Sequence, residues 1–504
     1  MNAYKRILSL ILALLCCVGV LAGCTKENPK DKSTETYEQQ ETEAPTDPKL
    51  VSSLQPSYDF KGQEYTILTR KQTDYEFKGK DDEKATFLER EVFERNEYVM
   101  EKCKVEFEIV TRMGGWDDRQ IFTSAVRQDS AGAATYELVS GHSAVLAALA
   151  LEGLGYDLSK LPNVELEKRW WSEAYYNTAN YNGALYTALG DIDYSLYEYM
   201  MVIFFNEGLA EDYKLEDLYD LALDGDWTFA KLQEYTSMVT TNLDLAEDQQ
   251  YYGFLANGHG CHSFVDSFGL ELIKKEGDNE QRTIAEELND DNLVTPMQKT
   301  IDFIWENSSV RSDFTSDNSI GTQTPIFTSG RALFYQQQLG QAIKFKSENM
   351  TNYGVLPYPK YDENQVNYRT TYRDTVSAIL VPAKVKDATM AGTVTEMLCW
   401  QSYHTVTQQY YEETLKLRAF DNPDCEETLE MIRASVAPSF ATIYGGVFAN
   451  PPKSILGNVI QSKGTQNLSS YWEVFRATGF PSLQRSIPKW MHLPRKTQAD
   501  QIED

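Results

Sequence analysis

Between Glu64 and Ala150 the chain switches repeatedly between strand-like and helix-like hydrophobic periods, and this alternation limits the available folds more than any other feature. Glu64-Tyr65-Thr66-Ile67-Leu68-Thr69 reads as a strand, about Ala85 to Cys103 as a helix, and Val105 to Val110 as a second strand. A helix around Asp118 to Gln128 leads to the apolar strand Tyr136-Glu137-Leu138-Val139, after which helical character resumes from Ser143 to Ala150. Strands separated by helices of this length predict right-handed βαβ units in a mostly parallel sheet.

A different texture begins at Leu185. Up to Phe205 two strand-like apolar segments flank the polar break Gly190-Asp191-Ile192-Asp193, which predicts a crossover between lobes. Thr228 is placed to cap a helix running through Leu232 and Tyr235, with Trp227 in a structural role ahead of it. Helices are expected around Ser263 to Lys275 and Thr295 to Trp305, and strands at Arg331 to Tyr335 and Val376 to Pro382. Helices follow at about Thr393 to Tyr403 and Glu426 to Ser435. A chain of 504 residues exceeds what one hydrophobic core supports, so two α/β lobes with several crossings are expected.

Upstream of this region, Lys5 and Arg6 precede an apolar run from Ile7 to Val20, then Leu21-Ala22-Gly23 and Cys24. The run is short for a membrane span, which needs about 20 apolar residues, and has the layout of a cleaved export signal. From Thr25 to about Pro56 the chain is rich in Lys, Glu, Asp, Thr and Gln, and too poor in apolar residues to form a core, as expected of a tether. The formal charge of −28 disfavours nucleic acid and other polyanions as partners. The cysteines beyond the leader and Cys24, at positions 103, 261, 399 and 425, are too scattered for a disulfide framework, although one bridge is possible. His259, Cys261 and His262 are too closely packed to complete a metal tetrahedron by themselves. Neither GxSxG, HExxH, Walker A nor GxGxxG occurs.

Leu-Ala-Gly-Cys at 21–24 resembles the bacterial lipobox, which implies a lipidated Cys24 held at the outer face of the cytoplasmic membrane. With it come the tether, FKGQEYTIL, YELVSGHSAVLAAL, LYTALGDIDYSLYEYMMVIFFNEGL, DGDWTFAKLQEYT, and GRALFYQQQLGQ followed by YGVLPYPKYDENQ. In that order these segments resemble bacterial extracellular solute-binding proteins of the family 1 type, which serve ABC importers of oligosaccharides. The resemblance implies a two-lobe periplasmic-binding-protein-like fold (type II), each lobe a mostly parallel sheet flanked by helices, joined by hinge crossovers. The division it implies is 1–23 signal, 24–57 lipidated Cys and disordered tether, 58–192 plus 358–440 first lobe, and 193–357 plus 441–504 second lobe. It further implies a monomeric, non-enzymatic binder without cofactor or metal, which holds a small solute between the lobes and delivers it to permease subunits. A secreted glycosidase-like enzyme is the rival reading, since paired carboxylates leave no short signature. A surface adhesion or sensor-presenting lipoprotein is a third.

Ligands of open α/β sheets lie beyond the carboxyl ends of strands, which nominates Ser140, His142 and Ser143, with a simple helix cap as the competing reading. Of the pair Trp170 and Trp171, one is expected in the core and Trp171 facing a sugar ring. Asp191 sits in the crossover break, where a plain turn is the alternative. By position in the resembled family, Tyr335, Gln336 and Gln337 reach the ligand from the second lobe, while Arg373 and Asp374 precede a returning strand and can equally form a surface ion pair.

Overall fold

The computed structural model describes residues 47–481 except 181–182, 243, 272, 277–280, 285–289, 315–318, 374, 446–450, 463–466 and 480. The leader, Cys24, the tether up to Thr46 and Asp374 therefore lie outside the described residues. No described helix is long and apolar enough to cross a membrane.

Two sheets carry the fold. The first contains β1 (Gln63–Arg70), β2 (Val105–Arg112), β3 (Tyr136–His142) and β11 (Ser377–Leu380), in the order β11-β3-β1-β2. β1 runs parallel to both β2 and β3, pairing Leu68 with Val110 and with Val139, whereas β11 returns antiparallel with Ser377 opposite His142. The second sheet contains β4 (Met201–Asn206), β5 (Tyr252–Asn257), β8 (Val310–Asp313), β9 (Ala332–Gln338) and β10 (Tyr353–Leu356), in the order β10-β4-β9-β5-β8. Here β4 alone runs against its neighbours β9 and β10, and β5 is parallel to β8 and β9. A small antiparallel hairpin, β6 (Ile273–Glu276) with β7 (Gln281–Ile284), stands apart.

Local chemistry explains the helices that cover the first sheet. Thr86 caps the Phe87–Cys103 helix in a reciprocal capping box with Glu89, and the helix buries Val92, Val99 and Cys103. Beside it the Ala388–His404 helix, capped by Asp387, packs on the same side, and Thr395 Oγ1 lies 2.8 Å from Tyr65 Oη. Trp227 is fully buried and its Nε1 donates to Pro357 O at 2.9 Å, while Thr228 caps the Phe229–Met238 helix. Cys103, Cys261, Cys399 and Cys425 are buried free thiols.

Several expectations need correction. Only the end of the Leu185–Phe205 stretch, from Met201, is a strand, and a helical turn at Ser195–Glu198 precedes it; the first half makes isolated bridges, Ala188 with Ile379 and Gly190 with Trp171. The helix expected over Ser263 to Lys275 instead spans Gly258–Ser267, because Gly269 at φ +68° turns the chain into the β6–β7 hairpin. The Asp424–Ala434 helix, assigned to the first lobe in the 358–440 division, packs on the Leu218–Leu223 helix and β10 of the second. Finally, the last part of the expected tether is fastened down. Asp47 pairs with Arg169 at 3.1 Å, Lys49 with Glu173 at 2.9 Å, and Ser53 N donates to Glu165 at 2.9 Å.

Candidate ligand cleft

The sheets are joined by a short antiparallel ribbon in which Met200 bridges Tyr372, Arg373 N donates to Tyr199 O, and Met201 N donates to Thr371 O. The pairings fix which sheet edges meet it. On the first sheet Arg70, Arg112 and His142 end the three parallel strands, and Ser377 opposite His142 begins the strand leaving the ribbon. On the second, Gln338 opposite Met201 ends β9, and Asn257 opposite Asp313 ends β5 and β8. Both sheets thus turn the carboxyl ends of their parallel strands toward one ribbon, the placement that forms ligand crevices in α/β folds.

The ribbon presents different residues to its two sides. Tyr199 and Arg373 share one, where Arg373 Nη1 donates to Gln338 Oε1 at 3.2 Å. Met200 and Tyr372 share the other. The Tyr199 face meets the strand ends, and there Arg70 is held by Thr73 Oγ1 at 3.1 Å, Ser377 Oγ at 3.0 Å and Thr375 O. Tyr75 Oη donates to Glu198 at 2.9 Å. In the loop after β2, Trp116 is half exposed and stands 5.8 Å from the His142 ring, with the Arg119 guanidinium 4.4 Å from its centroid. Three buried polar atoms at this end of the molecule, Arg373 Nε, Thr375 Oγ1 and Gln341 Oε1, have no hydrogen-bond partner among the described residues. Unpaired buried polar atoms are uncommon because each costs a desolvation penalty, so these three are open to a further partner.

Beneath this surface lies a buried charge network. Arg70 and Arg95 accompany Glu76 and Asp193, and all four side chains are almost fully buried. Glu76 accepts from Ser195 N and Ser377 Oγ at 3.0 and 2.9 Å, and Asp193 accepts from Ser140 Oγ at 2.7 Å. Arg95 donates to Glu76 O, Asn96 Oδ1 and Ser402 Oγ. Burial pushes both carboxyls up, against the pull of the guanidiniums, and lowers Arg95 to about 10. Removing one member strands its buried partners, so the network fixes the root of the crossover.

The nominated residues divide among four places. His142 and Ser143 do lie at the carboxyl end of β3, with Ser143 opening the Ser143–Leu151 helix and its N–H donating to Val376 O. Arg373 is on the cleft face. Ser140 requires correction: it is two residues too deep, and its hydroxyl is committed to Asp193. Tyr335 and Gln336 also require correction. The Tyr335 ring packs on Phe327 and Phe345, and Gln336 Nε2 donates to Asn257 O at 2.9 Å, both inside the second lobe. Gln337 is buried too, donating to Tyr335 Oη at 3.1 Å and accepting from Gln338 N. Trp171 and Asp191 stand together, but on the Met200–Tyr372 side of the ribbon, away from the strand ends. Trp171 Nε1 donates to Glu396 at 2.9 Å, and Asp191 accepts from Tyr197 Oη at 2.7 Å and Thr407 Oγ1 at 2.8 Å. Burial raises the Asp191 carboxyl to about 6.

Sequence reading missed Trp116, Arg70, Glu198 and Gln338. A signal existed for the first: Trp116 follows β2 within a few residues, behind Gly114-Gly115, where the strand-end rule applies as it does after β3.

No protein-family model and no curated protein matches this chain. Solved structures do. A galacto-N-biose/lacto-N-biose I-binding protein of an ABC transporter from Bifidobacterium longum, in complex with lacto-N-biose, is similar with TM-score 0.56 at 12% identity over 85% of this chain and 98% of that one. The sugar-binding protein MalE from Xanthomonas citri gives TM-score 0.56 at 11% identity over 85% and 97%. An ABC substrate-binding protein from Listeria monocytogenes in complex with cycloalternan gives 0.52 at 12% identity over 86% and 100%. Together with the strand pairings, these likenesses show that the chain has the two-lobed α/β fold seen in ABC-transporter sugar-binding proteins, the periplasmic-binding-protein-like fold that the sequence resemblance implies.

Proposed function

We propose that this protein is an extracellular, lipid-anchored solute-binding protein that captures a neutral oligosaccharide between its lobes and hands it to an ABC permease. The observation that carries this reading is the convergence of both sheets' strand ends on one crossover ribbon, where Trp116 offers an aromatic face and His142, Gln338 and Arg373 offer planar polar groups. An aromatic face suits the C–H side of a sugar ring, and planar hydrogen-bonding groups suit its hydroxyls. The proteins of like fold named above are described with sugars, which supports the same ligand class. Anchoring through Cys24 would raise the local concentration of loaded binder at the permease.

The test uses the full chain in detergent with a panel of neutral mono- and oligosaccharides. Thermal shift, calorimetric binding and product formation are followed together. The expected result is stabilisation without turnover by at least one oligosaccharide, with affinity falling at least tenfold in Trp116→Ala and in Arg373→Gln. Sugar turnover would favour the glycosidase-like reading, and affinity unchanged in both variants would remove the cleft assignment. Membrane anchoring is tested separately: Cys24→Ser should move the protein from the membrane fraction to the medium.

A further inference from the structure

On the other side of the crossover ribbon is a cavity of about 560 Å³ that the proposed cleft does not use. Met200 and Tyr372 line it, whereas their ribbon neighbours Tyr199 and Arg373 stand beside Arg70 and Gln338 at the strand ends, so the two spaces lie on different sides of one two-stranded element. Trp171, Asp191 and Tyr197 complete the inner wall, and Arg433 reaches it from the Asp424–Ala434 helix. The Arg433 guanidinium lies 5.4 Å from the Tyr197 ring centroid and attracts Asp191.

We propose that this cavity is a second small-molecule site, taking a neutral polyhydroxylated molecule. Its volume falls within the range of about 300–1,000 Å³ usual for small-ligand sites. Slightly exposed edges of Trp171, Met200 and Tyr372 adjoin the Arg433 guanidinium and the Asp191 carboxyl, whose Oδ1 is already taken by Tyr197 and Thr407, a mixture that can meet both the C–H and O–H sides of a polyol. Around the whole wall five acidic side chains face four basic ones, so neither an anion nor a cation is strongly favoured. Trp171 contributes its ring alone, because its N–H is already committed to Glu396.

Occupancy here is linked to the cleft. A ligand in this cavity touches Asp191 and Met200 of the first crossover, Tyr372 of the second and Val436 on the segment pairing with Thr370. Any rearrangement of the lobes about the ribbon changes those distances, so the two sites must bias each other's affinity by equal factors.

The test is saturation-transfer NMR on the full chain with glucose, maltose, maltotriose and myo-inositol, repeated in two variants. Ala434→Trp places an indole at the solvent-exposed edge of the cavity wall, where folding should tolerate it. Trp116→Ala removes the aromatic face of the cleft. At least one probe should keep its signal in Trp116→Ala and lose at least tenfold in affinity in Ala434→Trp. Arg433→Gln should weaken the same probe threefold or more, which guards against misfolding of the Trp variant. If Trp116→Ala abolishes every signal, or Ala434→Trp and Arg433→Gln change none, the second site is refuted and the cleft stands. If only the cavity variants matter, the cleft reading falls instead. Absence of binding by all four probes would overturn the second site and leave the cleft to the wider saccharide panel.

Discussion

Glu396 shows how a single buried carboxyl organises its surroundings. It accepts from Trp170 Nε1 at 2.6 Å, Trp171 Nε1 at 2.9 Å and Glu165 N at 3.1 Å, which draws the segment before the crossover onto the Ala388–His404 helix. Burial nevertheless outweighs these donors and raises the carboxyl from 4.5 to about 7. Between those values the folded protein holds a proton that the unfolded chain has released. Its contribution is therefore fully present below about pH 4.5 and is lost as pH rises through about 7, a loss on the order of 3 kcal/mol. Glu396→Gln keeps one acceptor oxygen, sets an NH2 against a donor at the other position, and removes the titration. The variant should gain on the wild type as pH rises from 5 to 8, measured as the difference in denaturant midpoint. A gap independent of pH would show that Glu396 does not titrate in this window.

At the scale of elements, the crossover depends on close packing at Gly190. A Cβ there would come within 2.6 Å of both Cys399 Sγ and Trp171 Cε3, and within 2.8 Å of Trp170 O. Gly190→Ala should cost about 1–3 kcal/mol in a urea titration, since a packed core gives way only by shifting side chains and backbone. A loss below about 0.5 kcal/mol would mean that this junction yields easily. The same junction marks where the sequence stopped being legible. β1, β2 and β3, with the helices between them, were readable because each carries a full period of apolar residues, and the strand-end rule then located His142 and Ser143. The ribbon consists of two or three residues per strand, too few to show a period, so nothing assigned Tyr199 to one face and Met200 to the other. Trp171 and Asp191 were accordingly grouped with the cleft, although the chain brings them together behind it. β9 failed for the opposite reason: Ala332–Gln338 is buried on both faces, so Gln336 bonds Asn257 O and Gln337 bonds Tyr335 Oη where polarity suggested a ligand. β8 and β10 are four residues each and depend on their neighbours for definition.

The whole molecule is two sheets joined by that narrow ribbon and by the C-terminal helices, which pass from one sheet's side to the other's, with both strand-end edges turned toward the ribbon. A ligand held between Trp116 and His142 on one side and Gln338 and Arg373 on the other gains its full set of contacts only in orientations that bring those edges together. On the proposed reading it would therefore shift the population toward a closed form by its difference in affinity for the two states. Two measurements separate closure from simple occupancy. At a free concentration 100 times its Kd, the best saccharide of the panel should raise the unfolding free energy by about 2.7 kcal/mol through mass action, whether or not the lobes move. Small-angle scattering on the same sample should show a reduced radius of gyration, and only closure produces that change. Stabilisation with an unchanged radius would leave a binder that does not hinge, and would remove the physical basis for signalling occupancy to a permease. In Trp116→Ala both effects should require at least tenfold more ligand, whereas Ser140→Ala, which removes the hydroxyl bonded to Asp193, should lower stability without moving Kd.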